Sequence, residues 1–64
     1  MKTMKVGKVI ALLQADGWEI MRMRGDHRQF KNPNKPGTVT VSGKTSDDLD
    51  PFLLGSIWRQ AGWK

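Results

Sequence analysis

The sequence has no cysteine and no tyrosine, and its 64 residues include a single histidine. Without cysteine, neither disulfides nor thiolate metal sites are available, so the fold must rest on packing or on a partner. One histidine excludes a two-histidine acid–base pair. No segment is long and apolar enough to span a bilayer. The apolar N-terminal run is amphipathic and broken by Lys5 and Lys8, which does not fit a signal peptide, so a cytoplasmic protein with no membrane partner is expected. There is no phosphate-cradling glycine loop, and no serine sits in a nucleophile arrangement. Asp47 and Asp48 lack the histidine and cysteine neighbours of a metal site and fit the approach to a helix N-terminus. No metal and no cofactor is expected.

Charge of one sign is scarce in one part of the chain. Eleven Lys and Arg face six acids, a net charge of +5. Residues 1–44 hold nine of those cations against Asp16, Glu19 and Asp26, whereas residues 45–64 hold Arg59 and Lys64 against Asp47, Asp48 and Asp50. A basic body suits a polyanion such as nucleic acid. The plainer reading is excess charge that keeps a small protein soluble.

Val6, Val9, Ile10 and Leu13 recur at helical spacing, which predicts a helix over residues 4–16 with Thr3 as N-cap and Gly17 as a left-handed stop. Gly7 is an unusual interior choice, at a cost of about 1 kcal/mol against Ala. Residues 18–24 and 27–31 read as strands joined by a tight turn at Gly25-Asp26. Residues 32–37 read as a loop with two prolines and a glycine, residues 38–42 as a third, cleanly alternating strand, and residues 43–48 as a polar connection. Asp50 caps a second helix with Pro51 at its first position, and Leu54, Ile57 and Ala61 form its inner stripe. The fold class is therefore α+β in one domain, 1–64. Its order is α-β-β-β-α, with a three-stranded antiparallel sheet and both helices on one face.

Period-two alternation then sorts the faces. If the Gly25 turn pairs the first two strands directly, Ile20 lies opposite Phe30 on the core face, with Trp18, Val39 and Val41. The open face carries Met21, Met23, His27, Gln29, Lys31, Thr38 and Thr40. Phe52 is expected to be exposed and Trp63 to fold back onto the core.

Several segments, in order, are similar to one family. They are Gly17-Trp18; Arg24-Gly25-Asp26-His27-Arg28-Gln29-Phe30-Lys31; Pro36-Gly37-Thr38-Val39-Thr40-Val41; Ser46-Asp47-Asp48-Leu49; and Ile57-Trp58-Arg59-Gln60-Ala61-Gly62. The series resembles the HicA (YcfA-like) toxins of bacterial toxin–antitoxin systems over almost the whole chain. It departs from them at Phe52-Leu53, Gly55, Trp58 and Trp63. The resemblance implies a fold like a double-stranded-RNA-binding domain, cleavage of messenger RNA, and neutralisation by a HicB-type antitoxin. It also assigns the activity to His27.

RNA carries its own nucleophile, the 2′-hydroxyl beside each phosphate, so a protein can cleave it without metal by moving a proton and stabilising charge. Histidine suits the proton step because its unperturbed pKa lies near neutrality. Gly25 and Asp26 form the turn that positions His27. Arg22, Arg24, Arg28, Gln29, Lys31, Lys35 and Lys44 are the candidate RNA contacts, and each has the plainer reading of a solvated surface residue. Met21 and Met23 are candidates for RNA or antitoxin contact. Two alternatives use the same fold: a non-catalytic RNA-binding module, or a protein that only binds an antitoxin.

Overall fold

The first helical stripe needs a partner surface, and the sheet supplies it. The computed structural model describes residues 3–63. In chain order the elements are β1 (Met4–Lys5), α1 (Val6–Ala15), β2 (Glu19–Arg24), β3 (His27–Asn32), β4 (Lys35–Ser42), β5 (Asp48–Leu49) and α2 (Pro51–Gln60). Strands β2, β3 and β4 form an antiparallel three-stranded sheet in that order, while β1 and β5 pair as a separate two-stranded sheet. The architecture is α+β. Val6, Val9 and Leu13 of α1 and Leu54, Ile57 and Ala61 at α2 bury themselves with Trp18, Phe30, Val39, Val41 and Leu49. Both helices therefore cover the sheet face that carries Phe30, Val39 and Val41.

The helix starts differ from each other. Asp50 caps α2 as the sequence predicts, its Oδ1 accepting from the Leu53 amide at 2.8 Å. Helix α1 begins two residues later than its periodicity suggests, and Thr3 does not cap it. Residues 4–5 instead form β1, and the first helical amides, Val6 and Gly7, donate to the Asp47 and Thr45 carbonyls at 2.9 and 3.0 Å. Backbone thus satisfies donors that a side-chain cap would otherwise take. This approach also explains Gly7: a Cβ there would lie 3.3 Å from the Thr45 carbonyl oxygen.

Both helices stop by the same device. At α1 the Trp18 amide donates to the Leu13 carbonyl at 2.9 Å and Gly17 to Gln14 at 3.1 Å, with Gly17 at φ +97°. At α2 Trp63 donates to Trp58 at 2.9 Å and Gly62 to Arg59 at 3.2 Å. This is the Schellman pattern, with its apolar contact between the flanking residues. In α1 that contact joins buried Leu13 and Trp18; in α2 it is an edge-to-face pair of Trp58 and Trp63 with centroids 5.0 Å apart. Trp63 folds back as expected, and Phe52 is 74% exposed.

Two irregularities change the sheet from the simple reading. Residues 32–37 are mostly strand: β3 and β4 meet at a two-residue turn, Pro33-Asn34, with Asn32 paired to Lys35. The Asn34 amide donates to Asn32 Oδ1 at 2.9 Å, an Asx turn that replaces the predicted loop. The register between Phe30 and Asn32 then shifts, since Phe30 pairs with Val39. A second bulge falls in β2, where Ile20 pairs with Phe30 but Arg22 pairs with Gln29, leaving Met21 as the extra residue. Ile20, expected in the core, is 41% exposed because β2 lies at the edge of the sheet away from β4, the strand against which the helices pack.

Candidate functional site

The β2 bulge decides which side chains share a face with His27. Direct pairing predicts Met21 and Met23 there. With one residue inserted, the alternation reverses beyond Met21, so Arg22 lines up with Gln29 and Arg24 with His27. Met23 pairs instead with Arg28. The face contains two arginines where the unbulged register predicts methionines.

Strand β3 alternates without interruption: His27, Gln29 and Lys31 are exposed, while Arg28, Phe30 and Asn32 are buried. Arg22, Arg24, His27, Gln29 and Thr40 together line a shallow depression of about 400 Å³. His27 opens onto it with a side chain 65% exposed, and its Nε2 lies 3.6 Å from Asp26 Oδ1. That separation permits an electrostatic contact with a protonated imidazole but is too long for a hydrogen bond. Gly25 adopts φ +60° at the first central position of the two-residue turn, where a hairpin of this length favours glycine. Further along the same face, Glu19, Met21 and Lys31 border a neighbouring depression of about 350 Å³.

The remaining candidate cations lie elsewhere. Arg28 faces the interior at 7% exposure, and its Nη1 donates to the carbonyls of Asp26 at 3.2 Å and Gly43 at 2.7 Å. Lys35 sits at the far end of the sheet, where its Nζ donates to Asp16 Oδ2 at 2.7 Å and to the Ala61 carbonyl at 3.1 Å. Lys44 is exposed in the loop after β4, its own amide bonded to Asp47 Oδ2 at 3.0 Å. Among the described residues, no carboxylate lies within 4.0 Å of the Arg22, Arg24, Lys31 or Lys44 charge. The open face therefore presents Arg22, Arg24 and Lys31 to solvent, with Glu19 the acid beside Lys31.

Asp16, absent from the sequence-based candidates, organises the opposite end of the molecule. Its Oδ2 accepts from Lys35 Nζ at 2.7 Å, Trp63 Nε1 at 2.9 Å and Trp18 Nε1 at 3.2 Å. The Lys35 hydrogen bond first, then that of Trp63, holds this carboxyl below its ordinary value. No local pattern signals this site, because its donors come from positions far apart in the chain. Thr40 is the other omission; its alternation places it on the open face, but its short side chain gave no reason to count it as a contact.

Among the described residues no three His, Cys, Asp or Glu side chains come together as a cation site. No described helix is long and apolar enough to cross a membrane. No curated protein matches the chain. Comparison with family models gives a match over residues 6–63 to the family described as the HicA toxin of bacterial toxin–antitoxin systems. That span is nearly the entire sequence and includes both helices, the whole three-stranded sheet and His27, so the chain belongs to the HicA toxin family.

Proposed function

We propose that this toxin is a metal-independent endoribonuclease that cuts messenger RNA in the cytoplasm, with His27 moving the proton. The observation that carries the reading is the shared depression, which sets an exposed imidazole beside two guanidinium groups that have no carboxylate partner among the described residues. Arg22 and Arg24 suit a bridging phosphate: each offers a planar fork of donors to its oxygens. A phosphate seated there brings the adjacent 2′-hydroxyl within reach of the imidazole. The hydroxyl oxygen attacks phosphorus, the 5′-oxygen leaves, and a 2′,3′-cyclic phosphate results. His27 carries one of the two proton transfers, and water carries the other. General acid–base help of this kind is worth about 10²–10⁴-fold. The guanidinium groups stabilise the charge that builds on the phosphoryl oxygens.

Gln29 and Thr40 add neutral hydrogen-bonding groups to the same surface, and Lys31 extends the phosphate track along β3. Lys44 lies beyond the depression and suits a flanking phosphate. A HicB-type antitoxin is the natural neutralising partner for a member of this family, and covering the depression would suffice to silence it.

The test uses purified protein and a labelled RNA oligonucleotide in EDTA. Cleavage leaving cyclic phosphate ends, lost in His27→Ala while RNA binding persists, is the expected result. Binding without cleavage by the wild-type protein supports the non-catalytic module instead, and cleavage retained in His27→Ala removes His27 from the mechanism.

A further inference from the structure

Arg28 follows His27 directly in sequence but points the other way, into the protein. We propose that it is a positioning residue for His27, acting on the peptide group that precedes the imidazole-bearing residue; this rests on the nuclease reading above. The Asp26 carbonyl belongs to the peptide bond that ends at the His27 nitrogen. Its oxygen accepts from two donors, Arg28 Nη1 at 3.2 Å and the Gly43 amide at 3.2 Å. The same Nη1 also holds the Gly43 carbonyl at 2.7 Å. Arg28, Asp26 and Gly43 thus form a closed set of three hydrogen bonds behind the sheet.

This set fixes the plane of the Asp26–His27 peptide and, with it, the direction in which the His27 side chain leaves the backbone. That restraint bears on His27 because it is the first residue of β3, so the peptide group before it belongs to the turn rather than to the strand. The Asp26 carboxylate supplies little of it, lying 3.6 Å from the ring. Gly43 adopts φ +106°, so the loop can present both its amide and its carbonyl to the clamp. A Cβ at Gly43 would meet Asp47 Oδ2 at 3.3 Å and Val6 Cγ2 at 3.5 Å. Arg28 is buried on the face opposite the depression, so RNA seated there does not touch it. Its effect belongs to the chemical step rather than to binding, since a displacement of about 1 Å in a catalytic group can cost about 10²-fold in rate.

The experiment measures kcat and KM for RNA cleavage by Arg28→Met, which keeps the apolar stem and removes the donors, and by Arg28→Lys, which keeps a charged donor if the first variant fails to fold. The expected result is a kcat lowered roughly 10- to 100-fold for Arg28→Met and less for Arg28→Lys, with KM changed by less than about two-fold. Arg28→Ala should recover kcat on adding millimolar guanidinium, whereas His27→Ala should not. A raised KM with unchanged kcat makes Arg28 an RNA contact and overturns the proposal, as does an unchanged kcat. A wild-type protein that cuts no RNA removes the nuclease reading and this proposal together; a cutting wild type with an equally active Arg28→Met removes this proposal alone.

Discussion

Strand β3 turns His27, Gln29 and Lys31 to solvent and Arg28, Phe30 and Asn32 to the interior. The outward set has few partners within the protein. The inward set is fully engaged: Phe30 packs in the core, Arg28 binds two carbonyls, and Asn32 Nδ2 donates to the Asp16 carbonyl at 2.9 Å. One strand thereby carries an open surface and the structure that supports it. Residue type alone does not separate the two roles, because each face holds a cation and an amide side chain.

The largest expected effect breaks the strand on one face and spares it on the other. Phe30→Ala should cost about 3–5 kcal/mol through the cavity it leaves. That approaches the whole stability of a domain this small, at roughly 0.05–0.15 kcal/mol per residue. Circular dichroism should show Phe30→Ala largely unfolded at 37 °C. His27→Ala, on the exposed side, should leave the melting temperature nearly unchanged and abolish RNA cleavage. A His27→Ala protein as unstable as Phe30→Ala would show that the two faces are not separable.

A smaller effect separates the cations. Arg22→Gln and Arg24→Gln should each weaken RNA binding and flatten its dependence on salt, by about 0.7 in the log–log slope per lost single-strand phosphate contact. Lys35→Gln should leave that slope alone and lower stability instead, because its ammonium serves Asp16 and the Ala61 carbonyl. Fluorescence anisotropy across a salt series, beside urea unfolding, checks both. A changed slope for Lys35→Gln would place RNA at the far end of the sheet.

The Asp16 cluster gives a pH signature. The folded carboxyl titrates below its ordinary value, held there chiefly by Lys35 and then by Trp63. The ionised form is therefore favoured by folding. Its contribution is complete above the unfolded value and is lost as pH falls through the folded one. Asp16→Asn should be less stable than wild type at neutral pH, and the gap in urea midpoints should close below about pH 4. A gap that persists in acid would assign the loss to packing rather than to charge.

Much of this was legible because local rules and the fold agree. Helical spacing in residues 6–13 and 54–61, the Asp50-Pro51 start, the Gly17 stop and the alternation of residues 38–42 each have a short-range cause. The fold class and the exposed face of β3 followed from them. What was not legible depends on distant backbone. β1 exists because Met4 and Lys5 pair with Leu49 and Asp48, and α1 needs no Thr3 cap because the Thr45 and Asp47 carbonyls reach its amides. Arg28 and Lys35 look like their exposed neighbours in sequence. Only the carbonyls and the carboxylate brought to them by the fold reveal that they hold structure.

The bulge is the subtlest of these long-range features, and it yields the smallest predicted change. Ile20 pairs with Phe30 and Arg22 with Gln29, so Met21 can be removed without altering either pair. Deleting Met21 should convert β2 into a regular strand and leave Arg22 and Arg24 on the side of His27. RNA affinity should stay within about three-fold of wild type with its salt slope intact, a change of under about 1 kcal/mol. Under the unbulged register, in which Met21 opposes Gln29, the same deletion would turn both arginines over. Affinity would then move in the opposite direction to that expected from losing a methionine. Anisotropy on the deletion variant thus distinguishes the two registers by whether the salt slope changes from that of the wild type. An unchanged slope requires the bulge, because only the extra residue lets Arg22 and Ile20 point to opposite faces although two positions apart.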